Sequence, residues 1–122
     1  MIRTRGLRHI QFLVRDAERS FAFYQRLFGI EEQFRDGSAV FASVPGGGDM
    51  ITFAGSSDWR PGAHAGLRHF GFAIDPGTDV AAARAEIEAA GGTAIRSGEH
   101  EDAKPYIYFT DLDGYEVELY TP

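Results

Sequence analysis

At 122 residues with 43% hydrophobic side chains, the chain has enough apolar mass for one compact domain but not for two independently stable ones. A formal net charge of -6 argues against a nucleic-acid partner, which calls for a basic patch, and the absence of cysteine removes disulfide and thiolate chemistry. No apolar run reaches membrane-spanning length and no apolar signal core follows the charged first residues, so the expectation is a soluble, cytoplasmic protein with no membrane partner.

Residues 7–14 alternate, with Ile10, Phe12 and Val14 on one side and His9, Gln11 and Leu13 on the other, which predicts a strand with one face on a core. A helix is predicted over 17–28, with Asp16 as N-cap and Gly29 as its stop, and with Phe21, Tyr24, Leu27 and Phe28 on one side. Three short strands follow at about 31–35, 39–44 and 50–54. Asp36-Gly37 and Pro45-Gly46-Gly47-Gly48 supply the turns between them.

The second half repeats this order. The heptapeptide GLRHIQF at 6–12 returns as GLRHFGF at 66–72, and 69–74 reads as a strand with Phe70, Phe72 and Ile74 apolar and His69, Gly71 and Ala73 opposite. Asp79 caps a helix through Val80, Ala83, Ile87 and Ala90 that Gly91-Gly92 ends. Strands are predicted at about 93–96, 106–110 and 115–120, with Asp113-Gly114 as the tight turn before the last. The expected fold class is therefore α+β. Two βαβββ modules, about 6–56 and 66–122, pair into one curved mixed sheet with helices outside and make a single domain over 1–122.

Aligning the chain with itself places Thr52 where the second half has Glu118, since each stands four residues after a turn glycine, Gly48 or Gly114. His9, His69 and Glu118 then lie on the polar faces of three strands. Two imidazoles and a carboxylate form a three-ligand facial set suited to Fe(II), Mn(II), Zn(II) or Ni(II), with positions left for substrate. Gly71 and Ala73, small and on the face of His69, are expected to leave room for a ligand. Taken singly, His9 reads as a hydrogen-bonded strand histidine and Glu118 as a solvent-facing strand residue. The convergence of duplicated positions on one face is what favours the metal.

These residues resemble the vicinal oxygen chelate superfamily, which includes glyoxalase I, extradiol dioxygenases, fosfomycin-resistance enzymes and bleomycin-resistance proteins. HIQFLVRDAERSFAFYQRLFGI is similar to its first strand and helix, and HFGFAI and DLDGYEVELY to its later ligand strands. The resemblance implies the glyoxalase/bleomycin resistance/dioxygenase fold and carries the ligand positions onto His9, His69 and Glu118. Thr52 stands at the remaining position, where glyoxalase I has a strong ligand, so lyase chemistry is disfavoured. Against fosfomycin transferases stand Gln11, where they typically have Thr, and the end of the chain at Pro122, where they usually continue with basic residues.

The stretch GEHEDAKPYIYFTDLDGYEVE at 98–118 resembles the signature of extradiol ring-cleaving dioxygenases, matching at Gly98, His100, Ile107, Tyr108, Asp111, Gly114 and Glu118. The expected activity is then a metal-dependent dioxygenase, Fe(II) favoured, acting on a small catechol or other vicinal-oxygen substrate. Tyr108 and His100 are the candidate catalytic groups, and Gln11 and Tyr106 the candidate substrate-binding ones. His100 equally suits a solvated loop position among its acidic neighbours. His64 is a further acid/base candidate or a plain loop residue. Trp59, Phe53, Met50 and Arg60 are candidates for the cleft lining, with core or loop positions as their alternatives. The alternatives in function are a metal-dependent lyase, isomerase or transferase, or a protein that sequesters a drug or metabolite without catalysis. Because many extradiol enzymes carry four modules and this chain two, the resemblance implies a homodimer. His9 then meets His69 and Glu118 either within one chain or across two.

Overall fold

The structure is a computed structural model that describes residues 1–60, 66–100 and 102–122. The chain divides into two compact units, Met1–Trp59 and Arg60–Pro122. The first holds β1 (His9–Val14), α1 (Ala17–Phe28), β2 (Glu31–Asp36), β3 (Ala39–Ser43) and β4 (Met50–Gly55). The second holds β5 (Phe70–Ala73), α2 (Val80–Ala90), β6 (Thr93–Glu99), β7 (Pro105–Thr110) and β8 (Glu116–Tyr120). Each unit is thus a βαβββ module with its own four-stranded mixed sheet, in the orders β1-β4-β3-β2 and β5-β8-β7-β6. No helix among the described residues is long and apolar enough to cross a membrane.

Local chemistry sets the helix ends where the sequence places them. The Asp16 carboxylate accepts from the Arg19 N–H, and Gly29 takes the left-handed conformation (φ 62°) that lets its N–H close onto the Gln25 carbonyl. Asp79 likewise accepts from the N–H groups of Ala81 and Ala82, and Gly91 ends α2 at φ 102°. The buried stripe of α1 differs from the predicted one: it is Ala17, Ser20, Phe23 and Tyr24, with Tyr24 the shared member. The small residues Ala17 and Ser20 let the first turns approach the end of β4, where a Cβ on Gly55 would stand 3.5 Å from the Ala17 nitrogen. Phe21 and Leu27 are left only partly covered.

In the first unit the core face of the sheet carries Phe12, Val14, Val40, Ala42, Ile51 and Phe53, and the Tyr24 ring lies 5.1 Å from that of Phe53. In the second unit Ile107, Phe109, Val117 and Leu119 do the same, joined by Ile87 as the one buried residue of α2. Strand limits differ from the expectation at several ends. β1 begins at His9 rather than Leu7, β5 at Phe70, and β6 runs on to Glu99.

The turn before β8 is held by a buried carboxylate. Asp111 accepts from the N–H groups of Asp113 and Tyr115, each at 2.9 Å, and Gly114 between them has φ 85°. Two charge-assisted bonds in a buried turn give a clear expectation for Asp111→Ala: a loss of about 2–3 kcal/mol in urea unfolding. Asp111→Asn, which keeps an accepting oxygen, is expected to lose less.

Candidate metal centre

Across each sheet, four residues line up side by side on the face opposite the helix. In the first unit β1 pairs with β4 in parallel with Gln11 beside Thr52, Phe41 of β3 pairs with Thr52, and Phe34 of β2 pairs with Phe41. In the second unit the same positions hold Gly71, Glu118, Tyr108 and Arg96. The equivalence of Thr52 and Glu118, expected from the turn glycines, is therefore a feature of the strand registers. Gly48 and Gly114 both have positive φ, 69° and 85°, as those turns require.

The two histidines occupy matching places two residues before this rung. His9 Nε2 lies 2.9 Å from Thr52 Oγ1, and His69 Nε2 lies 3.4 Å from Glu118 Oε2. Thr52 is fully buried. Two donors held about 2.1 Å from one ion at the tetrahedral angle stand about 3.4 Å apart. A direct charge-assisted hydrogen bond would instead be about 2.7–2.9 Å. The imidazole and carboxylate of the second unit thus have the chemistry and the spacing of neighbouring metal ligands. The other ring nitrogen of His69, Nδ1, is buried with no hydrogen-bond partner among the described residues, so Nε2 is the nitrogen with an acceptor facing it.

Tyr108 stands beside this pair. Its ring meets the His69 ring edge-on at 5.3 Å, and its hydroxyl hydrogen-bonds to Glu118. The bond to that carboxylate, reinforced by burial, pushes the phenol up from its ordinary value, with Arg96 acting in the opposite direction. Because the folded-state value is raised, the stability contributed is fully present below the ordinary tyrosine value of about 10 and is lost as pH rises through the raised one. In metal-free protein, Glu118→Gln is expected to move one phenolate transition to lower pH. Difference absorbance against pH reads it, and an unchanged titration would refute the pairing.

Other expected residues fall out as follows. Gln11 is exposed in the first rung, and Met50 pairs with His9. Tyr106 shares the face of Tyr108, at 6.0 Å between rings, and His100 lies against Tyr106 at 4.7 Å rather than against Tyr108. Phe53 is in the core beneath α1, so it does not line the face of His9. The expected room at Gly71 is also absent. A Cβ there would stand 3.2 Å from the Tyr120 ring, so the missing side chain accommodates that ring. Trp59 packs with the Arg15 guanidinium 5.4 Å from its ring. His64 lies outside the described residues.

Three residues on these rungs were not singled out by sequence reasoning. Arg96 lies over the Tyr108 ring at 3.9 Å and forms an ion pair with Glu116 at 3.7 Å. At the equivalent places of the first unit, Phe34 stacks on Phe41 at 4.2 Å and 16°, with His9 6.3 Å from Phe41.

The whole arrangement has close structural parallels. The Glyoxalase family model, for the Glyoxalase/Bleomycin resistance protein/Dioxygenase superfamily, matches residues 6–119. The fosfomycin resistance protein FosX from Listeria monocytogenes is 25% identical with a TM-score of 0.79, over 100% of this chain and 95% of that one. A variant of the same protein, complexed with Mn(II) and 1S,2S-dihydroxypropylphosphonic acid, is 27% identical with a TM-score of 0.75, over 97% and 90% of the two chains. Lactoylglutathione lyase from Agrobacterium tumefaciens, at 18% identity and a TM-score of 0.71 over 97% and 94%, shares the fold. The two βαβββ modules, their matching rungs and the family match over nearly the whole chain lead to one conclusion: the chain belongs to the Glyoxalase/Bleomycin resistance protein/Dioxygenase superfamily.

Proposed function

We propose that this protein is a metal-dependent enzyme acting on a small substrate that chelates the ion through two adjacent oxygens, with His9, His69 and Glu118 as the protein ligands. The observation that carries this is the His69–Glu118 pair at 3.4 Å, set at the same register position as His9 and Thr52. Among the described residues no group of three or more His, Asp or Glu side chains is gathered, and the proposal stands on the His69–Glu118 pair and on the matching register of His9.

When bound, the ion supplies Lewis acidity to the chelated oxygens. The chain's own residues handle the rest. Tyr108 donates from its hydroxyl to whichever anionic oxygen stands at Glu118, and the elevated phenol keeps that proton in place at neutral pH. Gln11, exposed in the rung beside Thr52, offers an amide for orienting the substrate. Tyr106 supports His100 from the same strand as Tyr108.

Ring cleavage of a catechol with Fe(II) is the reading favoured by the 98–118 stretch. Modification of fosfomycin with Mn(II) is the second reading, favoured by the likeness to FosX, whose variant was captured with Mn(II) and a vicinal diol. Elemental analysis of protein purified without chelator tests the common premise, with about one divalent ion per chain expected. Anaerobic Fe(II) loading followed by O2 and a panel of catechols then tests the first reading, and Mn(II) loading with fosfomycin the second. Protein that holds no metal and turns over none of these, with His69→Ala leaving ligand affinity unchanged, would instead indicate a sequestering protein.

A further inference from the structure

Tyr108 is hemmed in by three groups of its own module: the His69 ring edge-on at 5.3 Å, the Tyr106 ring edge-on at 6.0 Å and the Arg96 guanidinium 3.9 Å over its face. Its hydroxyl bonds to Glu118, its partner in the register of β7 and β8. Glu116, two residues before Glu118 on β8, lies 3.7 Å from Arg96, and the oxygen on that side, Oε1, is buried with no hydrogen-bond partner among the described residues. The guanidinium is therefore the charge that compensates a desolvated carboxylate, which holds it in place. Glu118, Tyr108, Arg96 and Glu116 form an unbroken chain across β8, β7 and β6.

We infer that Arg96 is a positioning residue: stacked on the Tyr108 ring, it keeps the phenol hydroxyl on Glu118 and so keeps that carboxylate beside His69. The clamp lies wholly within the second module, and only its consequence for an ion rests on the proposed triad. Two edge-on rings and one stacked plane leave the phenol little room to turn about either of its side-chain torsions. Two other roles for Arg96 make different predictions. As a surface ion pair with Glu116 alone, at 3.7 Å and with the arginine side chain 49% exposed, it would contribute little and would not reach the His69 pair. As a bare positive charge it would repel a divalent ion at His69 and Glu118, so its removal would tighten binding. Positioning has the reverse sign, because a carboxylate that has lost its fixed partner binds an ion less well. The role also belongs to a planar cation, since an ammonium is a point charge that does not stack.

Titration with Mn(II) alone, followed by electron paramagnetic resonance on the full chain, tests this together with nuclear magnetic resonance of the metal-free protein. Arg96→Gln is expected to weaken Mn(II) binding about 10-fold, and Tyr108→Phe by a similar factor. The double variant is expected to be no more than about 2-fold weaker than either single one, since both changes break the same chain of contacts. Arg96→Lys keeps a cation for Glu116, which secures the fold should Arg96→Gln lose it, yet is expected to stay at least about 3-fold weaker than wild type. In metal-free protein, the nuclear Overhauser contact between the Tyr108 and His69 rings is expected to be lost in Arg96→Gln and reduced in Arg96→Lys, with the circular dichroism unchanged. Where wild-type protein binds Mn(II), tighter or unchanged binding in Arg96→Gln, additive losses in the double variant or full recovery by lysine would overturn the inference. A ring contact that both Arg96 variants retain in full would overturn it whether or not the ion binds. If the ring contact is lost as expected but wild-type protein binds no Mn(II), the clamp stands and the triad reading falls.

Discussion

Glu118→Gln is expected to leave the fold intact and to empty the proposed metal centre. The substitution keeps the size of the side chain and its place opposite Tyr108 on β7, but exchanges an anionic oxygen donor for a neutral amide. Loss of even an outer-shell partner typically lowers metal affinity about 10–100-fold, and loss of the proposed carboxylate ligand is expected to exceed that. Dialysed protein should therefore fall from about one ion per chain to a small fraction of one, with turnover of any identified substrate falling at least 100-fold. The thermal midpoint of the metal-free proteins should agree within a few degrees, because Glu118 lies on the face opposite the core. Full metal content in this variant would exclude Glu118 as a ligand.

Phe53→Ala is expected to have the largest effect on stability. The Phe53 side chain is fully buried beside the Phe12 and Tyr24 rings, at 6.3 and 5.1 Å. Truncation of such a residue costs about 3–5 kcal/mol through lost transfer energy and the cavity left behind. For a domain of this size the thermal midpoint should drop by about 10–20 °C in scanning calorimetry. Leu13→Ala, on the same strand as Phe12 but on the opposite face and 43% exposed, should change stability by no more than about 0.5 kcal/mol. Comparable losses for the two variants would mean that the assignment of the strand faces is wrong.

That assignment was largely legible in the sequence. Alternation at Ile10, Phe12 and Val14, the aspartate caps and the stop glycines located both helices to the residue and identified the face that His9 occupies. The repeated GLRH and the turn glycines were enough to equate Thr52 with Glu118. What could not be read is the phase of β2 and β6. Each contains a one-residue register shift, between Glu32 and Phe34 and between Ala94 and Arg96. Period two alone puts Arg96 on the face of Ala94. The shift instead opposes Ala94 to Phe109 in the core and Arg96 to Tyr108 on the other face. The residues that absorb the shifts, Gln33 and Ile95, are neither glycine nor proline and carry no turn chemistry, so nothing in the sequence announces them. Side-chain competition for space was equally hidden, as at Gly71, where the Tyr120 ring takes the volume that a small residue was expected to leave open.

The same two shifts have a colloidal consequence. β2 and β6 are the last strands in their sheet orders, and a straight last strand presents a row of unpaired amides to any passing chain. A bulge increases local twist and breaks the regular spacing that a foreign strand would need to pair. In β2, Glu31, Glu32, Arg35 and Asp36 add charge to that edge, and Arg35 is held in place by ion pairs with Glu18 and Glu32. The extra residue that turns Phe34 or Arg96 to the face opposite the core thus also interrupts the regular spacing of these two end strands, whereas β1 and β5, at the other ends of the sheets, carry no such shift. Straightening either strand by deleting Gln33 or Ile95 would turn the residues on one side of the deletion to the opposite face and restore the regular edge.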